Sequence, residues 1–171
     1  MGAMEFRRLR DEELQEFKRE MMKAFQKGAE DVFGPIEQTI LPEADIDKSL
    51  STEGSAAYVA VTDGEIVGGA VVVINTETRR NSLDFLFARV GNQSRGVGRF
   101  IWESIERTYP ETKVWETCTP YFEKRNIHFY INVCGFHAVE FFDDRHKDPR
   151  EEGEHGIGVG DECMFGFEKV M

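Results

Sequence analysis

The stretch VGNQSRGVGRFIWESIE, Val90 to Glu106, gathers two glycines and two arginines between Arg95 and Arg99, then turns at once into a helical period. Those residue types in that order can hold an anion. A strand that ends in a glycine-rich turn and feeds a helix leaves the first helical N–H groups without internal partners. The helix macrodipole adds partial positive charge at the same end. Glycines let the backbone approach closely, and Arg95 and Arg99 can add charge-assisted hydrogen bonds. The expected ligand is a phosphate. No Gly-Lys-Ser/Thr follows, which excludes a Walker loop, and Ile101 stands where a dinucleotide fingerprint needs its third glycine. Tight strand–helix packing is the plainer use of Gly-x-Gly. The strand before, the amphipathic helix after and the arginines alongside favour the phosphate.

The other reactive residue types form no such constellation. His128, His137, His146 and His155 lack metal-ligand spacing, and no metal is expected. Cys118, Cys134 and Cys163 show neither a disulfide framework nor a zinc pattern, so the chain reads as cytoplasmic. Cys134 reads as a small buried residue at a helix end rather than a nucleophile. The net charge of -11 argues against nucleic acid, which would need a basic face. It suits a cationic substrate, although solubility also explains acidity. No apolar run is long enough for a membrane span, and no secretory signal opens the chain. With 171 residues a single domain is expected, 4–171, with residues 1–3 read as a cloning scar before Met4.

The elements that must position the glycine turn follow from periodicity. Glu5–Leu9 is a predicted strand. A helix follows Asp11, with Leu14, Phe17, Met21, Met22 and Phe25 at helical spacing, and Gly28 is a plausible end to it. Residues 30–50 read as a loop with a short helix near Ile46–Leu50. Ala56–Thr62 and Glu65–Asn75 form a hairpin about Asp63-Gly64, and Gly68-Gly69 signals a bulge or close backbone approach. The strand LDFLFARV, Leu83 to Val90, is apolar on both faces and belongs in the middle of the sheet. Then come helix 96–108, strand Lys113–Thr119, an aromatic helix opened by Pro120 and closed by Gly135, strand Phe136–Phe142, a polar loop and a last strand Cys163–Val170. The sum is an α/β (α+β) fold with a mixed sheet and helices on both faces.

The residues QSRGVG, Gln93 to Gly98, resemble the Gln/Arg-x-x-Gly-x-Gly/Ala signature of the GNAT superfamily of acetyl-CoA-dependent N-acetyltransferases. FYINVCGF, Phe129 to Phe136, resembles the family's second block, an aromatic helix ending in Gly-Phe before a strand. The element order from Glu5 to Val170 is similar as well. The resemblance implies a mostly antiparallel sheet of about six or seven strands and acetyl-CoA as co-substrate. It also implies that the backbone from Gln93 through Ser94, Arg95, Gly96 and Val97 to Gly98 holds the pyrophosphate, with Arg99 beside it. Ala88 and Val90 would pair with the pantetheine arm, and the acetyl group would lie where strands 83–90 and 113–119 splay apart. Asn126 is a weaker carry-over for a pantetheine contact, and Lys124 and Arg125 can meet the phosphates.

Transfer to an amine needs a lost proton, because an alkylammonium has a pKa near ~10.4 and no lone pair. It also needs a donor for the oxyanion and a proton for the thiolate. The resemblance points to Tyr130 as the acid. Four residues separate Tyr130 from Gly135, one more than usual in the family. Either the helix end absorbs the extra residue, or Tyr130 is turned by about 100°. Tyr130 as plain core is the other reading. For the base, Glu116 is preferred to Asp84, both in strands beside the expected cleft. The acceptor is expected to be a small-molecule primary amine met by segments 30–50 and 143–160. Those segments carry Glu37, Glu43, Asp45, Asp47, Asp143, Asp144, Glu151, Glu152 and Glu154. A homodimer stays open, and a non-catalytic acyl-CoA-binding or sensing domain is the alternative function.

Overall fold

In the computed structural model the described residues are 2–143, 145–148 and 164–171. They form one seven-stranded sheet in the order β1-β2-β3-β4-β5-β7-β6. The strands are β1 (Glu5–Arg8), β2 (Ser55–Thr62), β3 (Glu65–Val73), β4 (Arg80–Ala88), β5 (Val114–Pro120), β6 (His137–Phe142) and β7 (Met164–Val170). Only β4 and β5 run parallel; every other pair is antiparallel. Asp63-Gly64 turns the β2–β3 hairpin with φ of 52° and 78°, the positive values that a tight primed turn requires.

The sheet is covered on both faces. Helices α1 (Leu14–Phe33) and α2 (Glu43–Ser51) bury Phe17, Met21 and Ile46 against Val59, Val71 and Phe87. On the other face, α3 (Val97–Thr108) lays Ile101, Trp102 and Ile105 over Ala70, Leu83 and Trp115. The Gly68-Gly69 pair admits both layers. A Cβ on Gly68 would lie 2.7 Å from Val97 of α3, and one on Gly69 would lie 2.5 Å from Phe17 of α1. The bulge expected here is present too, with a register shift between Ala60 and Val61.

Two expected boundaries moved. Helix α1 does not stop at Gly28 but runs to Phe33, where Gly34 at φ 81° ends it. Pro120 closes β5 instead of opening a helix; α4 begins at Lys124. The sequence put Cys163 at the start of the last strand, and that residue lies outside the described ones, as do Asp144, Glu151, Glu152, Glu154 and His155.

Polar contacts fix how α1 stands over the sheet. Buried Lys18 is paired with Glu43 at 2.7 Å and Asp47 at 2.9 Å, tying α1 to α2. Glu20 meets Arg89 at 3.4 Å, tying α1 to the end of β4. At the entry to α1, Arg7 donates two bonds to Glu13, at 2.9 and 2.8 Å, and the Arg10 N–H donates a third at 3.0 Å. The Arg7 bonds, with help from the Arg10 N–H, lower the Glu13 pKa from 4.5 to about 2. A depressed carboxyl pKa gives stability that is present above the unfolded value and is lost as pH falls through the folded one. Glu13→Gln should therefore remove a component of acid sensitivity between pH 4.5 and about 2, read from thermal melts across that window.

Candidate active site

The site is created where two strands stop pairing. Strands β4 and β5 are matched at three positions only, Arg80–Val114, Asn81–Trp115 and Ser82–Glu116. Beyond them β4 stays bound to β3 through Ala88, and β5 stays bound to β7 through Pro120. A bulge falls at the parting. Val72 faces Leu83 and Val71 faces Phe85, so Asp84 is an extra residue on β4. An inserted residue bends its strand, and β4 leaves β5 there. The Thr117 hydroxyl donates to the Leu83 carbonyl at 2.8 Å, which satisfies the first backbone group left without a ladder partner.

A groove of about 800 Å³ opens from this fork. Its walls are α1 from Ala24 to Asp31, β4 from Leu86 to Ala88, the glycine turn with the start of α3, and α4 with the turn after it. Gly96 caps α3 in the left-handed region at φ 78°. The first backbone N–H of the next turn to find a carbonyl is that of Phe100, bonding Gly96 at 3.0 Å. The N–H groups before it point out of the helix end, as an anion cradle requires. The Gln93 side chain accepts from the Gly91 N–H at 2.8 Å and so fixes the turn from within. Gly98 is needed for contact more than for conformation, since a Cβ there would stand 3.2 Å from the Phe129 ring.

Of the residues expected to hold the coenzyme, Ala88, Gln93, Ser94, Gly96, Val97, Gly98, Arg99 and Asn126 line this groove. Arg95 and Val90 do not. Strand β4 ends at Ala88, so Val90 belongs to the turn and not to the strand. The Arg99 guanidinium rests on Glu103 at 3.0 Å. Lys124 and Arg125 line the groove as well.

The extra residue before Gly135 is absorbed in the helix. After one α turn, Lys124–His128, the chain widens into a π turn, Phe129–Val133. The Cys134 N–H reaches back five residues to the Phe129 carbonyl at 2.9 Å, and the Phe136 N–H reaches the Tyr130 carbonyl at 2.8 Å. Gly135, at φ 86°, ends the segment. A π turn takes in one residue without rotating what precedes it. Tyr130 is buried, packed against Phe136 and Phe167 at ring distances of 5.7 and 5.9 Å. Burial raises its phenol pKa, with the Cys134 thiol adding to the rise and a hydrogen bond with Thr117 opposing it. Tyr130 itself does not line the groove. Burial pushes the Cys134 thiol up to about 12, which keeps it protonated and unreactive.

The two strand carboxylates are already engaged. Glu116, at the closed end of the fork, meets Arg80 at 2.6 Å, and Glu168 shares that arginine at 2.8 Å. Asp84 accepts from the hydroxyls of Ser49 and Ser82, both at 2.6 Å. Neither lines the groove. Two acids that do line it, Glu123 and Asp31, were not singled out from sequence. Glu123 follows an aromatic pair at the mouth of a helix, and nothing in its neighbours marks it as buried. Among the described residues no three His, Cys, Asp or Glu side chains are placed to hold a metal. No helix among them is long and apolar enough to cross a membrane.

A family model described as the acetyltransferase (GNAT) family matches residues 11–136. The chain belongs to the GNAT acetyltransferase family. The family uses acetyl-CoA, and the enzyme is an acyltransferase. It is 40% identical over 168 residues to the uncharacterised protein YrkN of Bacillus subtilis, covering 95% of this chain and 90% of that one. The fold is similar to that of an IAA acetyltransferase from Bacillus cereus, with a TM-score of 0.69 and 17% identity, covering 99% of this chain and 100% of that one. It is also similar to a Bacillus subtilis acetyltransferase in complex with CoA, with a TM-score of 0.65 and 16% identity over 99% and 98% of the two chains.

A ligand that binds only the native state, at a hundred times its dissociation constant, stabilises it by about 2.7 kcal/mol. Coenzyme A at that excess should raise the melting temperature of the acetyltransferase by several degrees, at about 2–4 °C per kcal/mol for a chain of this size. ADP at the same concentration should do less, because it lacks the arm that reaches β4. If neither moves the transition, the groove is not the coenzyme site.

Proposed function

We propose that the protein is a cytoplasmic N-acetyltransferase that moves the acetyl group of acetyl-CoA to a primary amine of a small molecule, by direct attack in a ternary complex. The observation that supports it best is the alignment of the anion cradle at α3 with the open fork of β4 and β5. The pyrophosphate sits on the N–H groups of the turn. The pantetheine arm, extended and rich in amide groups, runs along the free edge of β4 as far as Ala88. The thioester then lies near the parting at Leu83 and Thr117, where exposed backbone N–H groups can polarise its carbonyl. Both substrates share one groove, so proximity supplies much of the rate.

The neutral amine nitrogen attacks the thioester carbon, the C–N bond forms, the nitrogen gives its extra proton to water, and the C–S bond breaks when the tetrahedral intermediate collapses; the acid that protonates the thiolate regains its proton from water. The departing thiolate takes a proton. Tyr130 is the donor in this reading, because its raised pKa keeps the phenol protonated and its ring packs on Phe167, the residue paired with Thr117 of β5. Glu116 is held by Arg80 and in this reading keeps the closed end of the fork in place instead of moving a proton. A small acceptor is favoured over a protein because the groove is walled by α1 and α4. A non-catalytic acyl-CoA binder is the competing reading, and turnover separates the two.

The deciding assay is release of free thiol from acetyl-CoA over a panel of primary amines. With a productive amine, Tyr130→Phe should keep coenzyme A affinity and lose turnover by roughly a hundredfold or more. A melt checks that the variant is folded. Wild-type turnover in the folded variant would make Tyr130 a core residue and nothing more.

A further inference from the structure

Glu123 is a buried carboxylate with no stated use. It is only 9% exposed and lines the groove, and its carboxylate has no hydrogen-bond or ion-pair partner among the described residues. The nearby cations are committed elsewhere. Lys27 bonds Asp31 at 2.8 Å, and Arg125, whose side chain is 80% exposed, meets Asp31 at 3.5 Å. Burial raises the Glu123 pKa, the Arg125 charge opposes the rise, and the Asp31 charge adds to it. Taking a carboxylate out of water without a partner is costly.

The wall opposite is shaped to receive this group. Gly28 sits inside α1, five residues before its end, where a glycine costs about 1 kcal/mol relative to alanine. Its φ is ordinary, so no turn explains it. A Cβ built on Gly28 would come within 2.7 Å of Glu123 Oε1. The helix thus lacks a side chain at the one place where the carboxylate lies against it.

We propose that Glu123 is the docking carboxylate for the acceptor, which is an alkylammonium: a primary amine on an apolar carbon chain that arrives charged at Glu123, with its chain along Ala24, Phe25 and Phe129, and gives its proton to water before it attacks. This rests on the acetyltransferase reading and adds the substrate class to it. The bound cation supplies the direct ion pair that no side chain makes with Glu123. The apolar walls accept methylenes but offer no partner to a second charge beyond Asp31, which already has two.

The test is made on the full chain saturated with coenzyme A, with butylamine, 1,4-diaminobutane and the uncharged 1,4-butanediol as probes. The two amines should raise the melting temperature further and the diol should not. Glu123→Gln, which keeps shape and removes charge, should abolish that difference while coenzyme A affinity by calorimetric titration stays within about twofold. Glu123→Asp should retain part of it. With any amine that turns over, Glu123→Gln should raise KM by tenfold or more. The proposal is overturned if the amines have no effect on the wild type, or if their effect survives in Glu123→Gln. It is equally overturned if Glu123→Gln instead costs coenzyme A affinity, which would put the carboxyl on the pantetheine arm. A wild type that coenzyme A itself fails to stabilise would sink the acetyltransferase site as a whole, a result distinct from each of these.

Discussion

Backbone N–H and C=O groups must find partners, and between β4 and β5 they stop finding them in each other after three residue pairs. The outer edges of both strands are fully used, by β3 on one side and β7 on the other. Neither strand can slide or tilt to close the gap without breaking a longer ladder. The sheet therefore holds open a pair of inner edges that an extended, amide-bearing ligand can satisfy. The bulge at Asp84 sets where the opening begins, and the hydroxyls of Ser49 and Ser82 hold that bulge from α2 and from within β4. The start of α3 supplies the fixed positive end. Cradle and fork are one device because β4 leads directly into the glycine turn, so the distance between them is set by the chain itself.

The π turn at Phe129–Val133 shows how a one-residue insertion is tolerated beside such a site. An extra residue in a regular α-helix would rotate everything on one side of it by about 100°. Widening a single turn confines the change to the exposed part of the segment: Ile131 and Val133 take the solvent side, while Tyr130, Cys134 and Phe136 stay packed in the core. Gly135 and the bond from Phe136 to the Tyr130 carbonyl then restore the exit toward β6.

Much of this was legible in the chain. The period-2 strands, the Asp63-Gly64 hairpin, the central place of β4, the glycine turn and the close approach at Gly68-Gly69 all follow from local rules. What was not legible depends on contacts between distant elements. Gly28 looks like a helix end because helices commonly end at glycine; it lies inside α1 because Glu123, ninety-five residues further on, comes against it. The burial of Glu123 is equally non-local, since it needs α1 to cross the mouth of α4. Val90 was counted into β4 because the apolar pattern continues, yet pairing to β3 ends at Ala88, the last residue with a partner. The absorption of the extra residue before Gly135 was one of two open possibilities, and only the packing of Tyr130 on Phe136 and Phe167 chooses between them.

The distribution of charge along the groove follows the same logic. The chain is acidic overall, but the cradle end carries the N-terminus of α3 with Arg99, Lys124 and Arg125 nearby. Lys27 and Arg125 both pair with Asp31 and leave one positive charge over, which acts on Glu123 from Arg125 without bonding it. Glu123 is left as the acid without a side-chain bond. Two local penalties fall on the same spot: a carboxylate removed from water, and a glycine in a helix interior. Natural sequences agree across levels nearly everywhere and depart from that agreement mainly where function demands it. A strand-lined groove that only had to hold a coenzyme would need neither penalty. Their coincidence is what the proposed docking of a second, positively charged ligand on this wall would account for.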